Sequence, residues 1–358
     1  MPAVIGSFVV AALVAYLATP AVRRLAVGTG ALDKPDSGPG ARHIHTRPTP
    51  RLGGLAIFAG FTAAAGVGVF WAHLVAWPQL VSLWLGAFLV AAVGVVDDYV
   101  NLPAKVKLAG QVLAACVFVF FGNSVEWVTN PWAAGPFPGM TYIGGWGILL
   151  TILWLVGVTN TLNLIDGLDG LAAGVASIAS VTLLLVALQE GQPYVVVVTA
   201  ALAGAALGFL PYNFHPAQIF MGDTGSMFLG FTLAGVAVQG TLKSATTIAL
   251  AVPLLALGLP ILDTTLAIVR RFVHGRPIFQ ADRGHLHHRL LALGLNQRQA
   301  VLILYFVSGC FGLSAVALAD VSSQLVAATL LLVGLGLTLA IGRAGAPATR
   351  HSGKHLHG

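Results

Sequence analysis

The chain has 358 residues, of which 57% are hydrophobic and only 8% charged, with a net charge of +6. A soluble domain carries roughly 25% charged residues, so this composition, with a mean hydropathy of +0.88, excludes a soluble globular protein and points to a polytopic membrane protein. Cys116 and Cys310 both fall inside apolar runs, which excludes a disulfide framework.

Eleven apolar runs approach the ~20 residues needed to cross a bilayer core: 3–19, 53–72, 79–96, 106–122, 146–162, 171–188, 194–210, 225–241, 245–269, 299–318 and 323–341. The expected fold is therefore all-α, one membrane domain over 1–342 and a polar, disordered tail over 343–358, with the ninth helix broken near Pro260. The first run has no basic residues before it, and Arg23 and Arg24 follow it, as in a first helix with its N-terminus outside rather than a cleaved signal peptide. With eleven crossings, all but Lys243 of the 18 Lys and Arg lie on one side. The positive-inside rule then puts the N-terminus outside and the C-terminus in the cytoplasm.

Prolines and glycines predict that residues 20–52 form a folded cytoplasmic loop without regular helix. Its Arg42, His43, His45, Arg47 and Arg51 either meet anionic headgroups or clamp a phosphorylated ligand. The third run closes on Asp97-Asp98, and Lys105 and Lys107 follow at the start of the fourth. Each carboxylate would cost ~2.5–3.5 kcal/mol at mid-bilayer, and a helix C-terminus disfavours anions. A divalent cation or a proton would relieve the repulsion; an interfacial cap with local ion pairs is the structural alternative. The 123–145 connection, with Trp127, Trp132, Phe137, Tyr142 and Trp146, reads as an interfacial aromatic belt without chemistry.

In Asn160-Thr-Leu-Asn-Leu-Ile-Asp-Gly-Leu-Asp-Gly170, polar residues recur every three positions at Asn160, Asn163, Asp166 and Asp169, forming a stripe at the end of a membrane-grade run. Gly167 and Gly170 let the backbone approach a ligand. A helix-terminating turn is the ordinary explanation, but four amides and carboxylates in register suit a sugar, a base or a metal better. The segment from Pro211 to Ser226 has no Lys or Arg, yet carries Asn213, His215, Phe220 and Asp223. Asp223 can cap the next helix. Alternatively, Phe220, Asn213 and Asp223 supply the aromatic face, amide edge and carboxylate that a nucleobase and a diphosphate-bound metal require.

Asp263 either lines the same cavity or pairs with a neighbouring helix. His285, His287 and His288 invite zinc, but no thiolate stands near and the surrounding arginines oppose a metal. Histidines interleaved with arginines suit an anionic sugar nucleotide better. His351, His355 and His357 fall in the tail and carry no chemistry.

Taken together, Asp97-Asp98 with Asn101-Leu-Pro-Ala-Lys105-Val-Lys107, Asn160–Gly170, Phe220-Met-Gly-Asp223-Thr-Gly-Ser226, His285-Leu-His287-His288 and Arg51-Leu-Gly-Gly54 resemble the polyprenyl-phosphate N-acetylhexosamine-1-phosphate transferases, the superfamily of MraY, WecA and TagO. The resemblance covers essentially the whole chain, and the family's eleven helices with an outside N-terminus agree with the charge count. It implies that polyprenyl phosphate (undecaprenyl or decaprenyl) attacks the β-phosphate of a UDP-N-acetyl sugar, giving polyprenyl diphosphate sugar and UMP. Mg²⁺ is the implied cofactor, with Mn²⁺ a candidate substitute. The implied setting is the cytoplasmic face of a bacterial plasma membrane, with no nucleic-acid partner and with a homodimer as an assembly option.

By motif, Asp97 and Asp98 resemble the catalytic carboxylates, and Asp223, with Asp98 and Asp169, resembles the metal ligands. Asn163, Asp166, Asn213, Phe220, Lys107, His285, His287 and His288 resemble the nucleotide and sugar contacts. Arg42, His45, Arg51 and Lys105 resemble the contacts to lipid phosphate and diphosphate. The His-x-His-His form is closer to the GlcNAc-1-phosphate branch than to the muramoyl-pentapeptide branch, which favours UDP-GlcNAc. His43 stands where relatives often carry lysine. Asp97 is expected to orient or deprotonate the lipid phosphate, a modest task because a phosphate monoester has a second pKa near ~6. A covalent intermediate on Asp98 is the alternative mechanism. An ion-coupled transporter is the rival class, but transporters hold ionisable groups near the midplane, whereas these cluster at one face.

Overall fold

A computed structural model describes residues 1–33, 48–72, 76–129, 140–241, 251–275, 284–319 and 324–344. Arg42, His43, His45 and Arg47 lie outside the described residues, as does the tail beyond 344. The chain is an all-α membrane protein, with two small β-ribbons that the apolar pattern does not announce.

In chain order, α1 (Pro2–Thr29) leads to a ribbon in which β1 (Leu32–Asp33) pairs antiparallel with β2 (Thr49–Pro50). Helices α2 (Gly54–Trp71), α3 (Trp77–Val100) and α4 (Ala104–Phe120) follow. A second antiparallel ribbon joins β3 (Trp127–Thr129) to β4 (Met140–Tyr142), pairing Trp127 with Tyr142, in the stretch expected to be only an aromatic belt. Then come α5 (Trp146–Ile165), α6 (Leu171–Gln189), α7 (Pro193–Asn213), α8 (Gly222–Thr241), α9 (Ala251–Ala256), α10 (Gly258–Val273), α11 (Leu286–Ala292), α12 (Gln297–Ala319) and α13 (Gln324–Ala344). Among the described residues, seven helices are long and apolar enough to cross a membrane: α1, α2, α3, α5, α6, α7 and α12.

One expectation needs correction: residues 20–29 are helical rather than loop. Pro20 forfeits one backbone bond, but the continued helix buries Ala26 against Ala31 and Leu52, and a left-handed Gly30 caps it with bonds to the carbonyls of Ala26 and Val27. The ninth helix is broken near Pro260 as expected, with α9 ending at Ala256 and α10 starting at Gly258. A proline ring clashes with the carbonyl four residues earlier, so Pro260 sets the break at its N-terminal side and itself sits in the first turn of α10. The short α11 falls between the ninth and tenth apolar runs.

The glycine-rich α8 is the axis of the bundle, buried from Thr224 to Gln239 and packed against α3 and α5. A helix apolar all round belongs in a core. Around it, α7 packs on α1 and α6, and α12 packs on α6 and α13. At Gly94 a Cβ would stand 2.5 Å from the Thr224 Cα, so glycine is what lets the end of α3 touch the start of α8.

Successive helices run antiparallel, so α1, α3, α5 and α7 end where α2, α4, α6 and α8 begin. Bonds at that level tie the ends together. Thr29 Oγ1 is 2.7 Å from Tyr99 Oη, and Gly53 N–H and Gly54 N–H donate to the carbonyls of Phe220 and Met221 at 2.9 and 2.8 Å. All the sequence motifs in the described residues gather at this end.

Candidate active site

Asp97 and Asp98 share the last turn of α3 but face different partners. Asp98 Oδ1 accepts the Asp223 N–H at 2.9 Å, and its Oδ2 accepts the Thr224 N–H at 3.1 Å and the Thr224 hydroxyl at 2.6 Å. The carboxylate thus caps the N-terminus of α8, where unpaired N–H groups and the helix dipole favour an anion. The like-charge doublet, costly on α3 alone, is relieved by a second helix.

Asp97 turns the other way. Its Oδ1 accepts the Leu102 N–H at 2.6 Å, over a turn in which Asn101 is left-handed, and its Oδ2 meets Lys107 Nζ at 3.2 Å. Lys107, one turn into α4, also reaches Asp223 Oδ2 at 2.7 Å. The other oxygen of Asp223 accepts a bond from Asn163 Nδ2 at 3.1 Å, and the same amide donates to Ser226 Oγ at 2.9 Å. Asn160, one turn deeper, forms an amide pair with Gln111 at 2.6 Å. The Lys107 ammonium of α4 thereby joins Asp97 of α3 to Asp223 of α8, and α5 joins the set through Asn163 on Asp223.

Asp166 stands at the end of α5, just outside the helix. Burial, with the carboxylates of Asp223, Asp98 and Asp169 nearby, pushes its carboxyl up to about 8, against an opposing pull from the Arg51 guanidinium. Among the described residues its side chain accepts no hydrogen bond. A carboxylate surrounded by carboxylates, with no donor of its own, is suited to a cation that arrives with a ligand. No three His, Cys, Asp or Glu among the described residues form a ready metal cage. Mg²⁺ needs none, since one or two carboxylates plus substrate phosphates suffice. Asp166 and Asp223 fit such an ion.

Asp169 and Asn213 are brought beside the cluster but are engaged in holding loops. Asp169 Oδ2 takes His215 Nδ1 at 2.8 Å and the Ala217 N–H at 3.0 Å. Asn213 Oδ1 accepts the Gly170 N–H at 3.1 Å while its Nδ2 donates to the Ile219 carbonyl at 3.1 Å. Both are buried, and together they fix the 214–221 segment that presents Phe220. Phe220 is itself braced by Pro50 and Gly53 through its backbone, with its ring half-buried. Arg51 lies 3.6 Å from Asp33 and 3.5 Å from the Asn101 side chain, and Lys105 is exposed at the start of α4.

The histidine segment docks onto the same site. His287 is 2% exposed and lies over Gly167, where a Cβ would stand 2.5 Å from its Nε2. Burial, reinforced by His288, pushes His287 down to about 3, so the ring is neutral, and its Nδ1 has no hydrogen-bond partner among the described residues. His288 packs against it at 4.2 Å, and His285 stacks on it at 5.8 Å with the rings 7° from parallel. Thr224 and Ser226 are site residues without an assigned role in the sequence reading. Their signal is the hydroxyl-rich Asp-Thr-Gly-Ser string at a helix start.

A family model, Glycosyl transferase family 4, matches residues 80–241. The chain is 40% identical, over 88% of its length and 85% of the relative's, to a probable undecaprenyl-phosphate N-acetylglucosaminyl 1-phosphate transferase of Bacillus subtilis. It is 37% identical, over 85% of its length and 80% of the relative's, to a decaprenyl-phosphate N-acetylglucosaminephosphotransferase of Mycobacterium tuberculosis. With a phospho-N-acetylmuramoyl-pentapeptide-transferase of Shouchella clausii the identity is 30%, over 87% of the chain and 94% of the relative.

Proposed function

The chain belongs to glycosyl transferase family 4, and on that premise we propose that it transfers GlcNAc 1-phosphate from UDP-GlcNAc to a polyprenyl phosphate, releasing UMP. The observation that carries the reading is the knot of Asp97, Asp223, Asn163 and Lys107, with Asp166 beside it, drawn from four helices to one end of the bundle. A lipid phosphate sits at the headgroup level, so its partner groups must lie at helix ends, where a transporter's would lie near the midplane. Eleven crossings, with this end in the cytoplasm of a bacterium, complete the reading. It rests on the Lys and Arg at this end, among them Arg23, Arg51, Lys107, Arg270, Arg298 and Arg343.

In the transfer, a phosphate oxygen of the lipid attacks the sugar-bearing phosphorus of the donor. A new P–O–P bond forms, and the bond to the nucleotide phosphate breaks, with its electron pair leaving on UMP. Asp97 orients the incoming phosphate or takes its remaining proton. Lys107 lies within reach of both Asp97 and Asp223, so its ammonium can move onto phosphate oxygens as charge spreads in the transition state. A bound Mg²⁺, held by Asp223 and Asp166, would screen the diphosphate charge and favour UMP departure. Asn163 fixes the Asp223 rotamer, and Asp98, as cap of α8, keeps Asp223 in place. Phe220 offers its half-buried ring to uracil; Arg51 and Lys105 are the nearest cations for phosphate oxygens. Asp169 and Asn213 act through the loop that presents Phe220.

The test is UMP release by the purified protein given polyprenyl phosphate and, side by side, UDP-GlcNAc, UDP-GalNAc and UDP-MurNAc-pentapeptide, with and without Mg²⁺. Release that needs both lipid phosphate and Mg²⁺, and is fastest with UDP-GlcNAc, is the expected result. No release from any donor, or release without the lipid, overturns the reading.

A further inference from the structure

Asp263 is a buried carboxylate on α10, 4% exposed, beyond the reach of the carboxylate cluster's contacts and without a role in the transfer as described so far. A charge inside an apolar helix is retained against a desolvation cost and needs strong partners. It has two, both at the start of the histidine segment. Asp263 Oδ2 lies 3.0 Å from His285 Nδ1, and its Oδ1 accepts the Leu286 N–H at 2.9 Å. One carboxylate therefore grips the ring and the first helical amide of α11 together.

Two arginines secure the residue just before. Arg270 Nη1, also from α10, and Arg289 Nε, from α11, both donate to the Gly284 carbonyl, at 3.0 and 2.9 Å. The entry to α11 is thus pinned at three successive residues. From that fixed point the His285 ring stacks on His287, and His287 covers Gly167, next to Asp166. The carboxylate also selects a tautomer. With its Nδ1–H directed at Asp263, His285 keeps its proton on that nitrogen and leaves Nε2 as the functional atom.

We propose that Asp263 is a positioning residue for the transfer: it holds His285 in the Nδ1–H form and locks the 284–292 segment over the Asp166 turn, so that the histidines meet the donor's sugar diphosphate in one orientation. This rests on the transferase reading above, and the experiment separates the two.

Asp263→Asn keeps an acceptor for one donor but places an NH₂ where the other carboxylate oxygen stood, reversing the tautomer it can support. Hydrogen exchange of the 284–292 segment reports the clamp directly, whatever the reaction. Steady-state UMP release reports its consequence. In Asp263→Asn the exchange of this segment rises while that of α8 is unchanged, and kcat falls ~10–100-fold, the range for loss of an orienting partner, with KM for UDP-GlcNAc shifting far less. Combined with His285→Ala, Asp263→Asn causes no further loss. His285→Asn, which retains a donor near the Nδ1 position but has no Nε2, keeps the exchange protection and still loses kcat.

Unchanged exchange in Asp263→Asn overturns the clamp. Raised exchange with unchanged kcat, or multiplicative losses in the double variant, overturns the positioning role. A wild-type protein that shows the clamp by exchange but releases no UMP overturns the transferase reading and leaves the clamp standing.

Discussion

Gln239 and Asp223 lie at opposite ends of α8, and their neighbours treat them differently. Gln239 donates to the Gln79 carbonyl at 2.9 Å, Asn123 Oδ1 at 3.1 Å and Ser82 Oγ at 3.3 Å, and accepts the Tyr194 hydroxyl at 2.9 Å. Asn123 completes its own set with Ser82 and the Phe118 carbonyl. All of these groups are neutral, and each is consumed by another; only Gln79 Oε1 is left over among them. Around Asp223 the groups are charged and acidic side chains outnumber the one ammonium in contact. Asp166 is half-buried and His287 Nδ1 fully so, and neither has a hydrogen-bond partner among the described residues. An amide network that closes on itself joins helices. A set of charges that does not close has capacity left for a ligand.

The sharpest way to break this comparison is to neutralise one residue at each end. Asp223→Asn removes the carboxylate shared by Lys107 and Asn163 while keeping the shape. Turnover should fall ~10²–10³-fold, the range for losing one preorganised electrostatic group, and the melting temperature should fall only modestly, since the 2.7 Å ion pair with Lys107 is lost while Lys107 keeps Asp97 at 3.2 Å. UMP release and thermal unfolding in the same detergent check both. Near-normal turnover would place the chemistry elsewhere. At the other end, Gln239→Leu strands the amide oxygen of the buried Asn123. A buried group left unsatisfied costs ~1–3 kcal/mol, so the melting temperature drops while kcat and KM of the folded fraction stay as they were. A loss of kcat without loss of stability would show that the two ends are coupled through α8.

The residue types at both ends are legible in the chain, and their partners are not. Asp97-Asp98 and Asp223 announce themselves because carboxylates in a chain this apolar carry a cost. That Asp98 caps α8 follows only from the contact of Gly94 with Thr224, far away in sequence. Asp169 and Asn213 read as ligand groups by type, yet their bonds run to Gly170 and to residues 215–219, which no local pattern brings beside them. Pro20 reads as a helix end, since local propensity cannot register Ala26 burying against Leu52. The helix α11 is too short for periodicity, and its anchor, Asp263, comes from another helix. Hydropathy and charge are summed along the chain and survive into the fold. Hydrogen-bond partners are chosen across it and do not.

The finest test of the open end uses its own titration. In the folded protein Asp166 is held up to about 8, against ~3.9 in an unfolded chain. Between those values the native state binds more protons than the unfolded state. Stability from this group is therefore fully present below the unfolded value and is lost as pH rises through the folded one. Asn at 166 has nothing to titrate and removes that slope. Without Mg²⁺, Asp166→Asn should match the wild type near pH ~3 and melt increasingly above it as pH rises to ~9, by ~2–4 °C for each kcal/mol recovered. With Mg²⁺ present, the wild type alone should recover at high pH, because the ionised carboxylate is the form that binds a cation. A gap between the two proteins that stays the same at both pH values would mean that Asp166 is an ordinary solvated acid, and that the two ends of α8 differ in charge but not in what they hold in reserve.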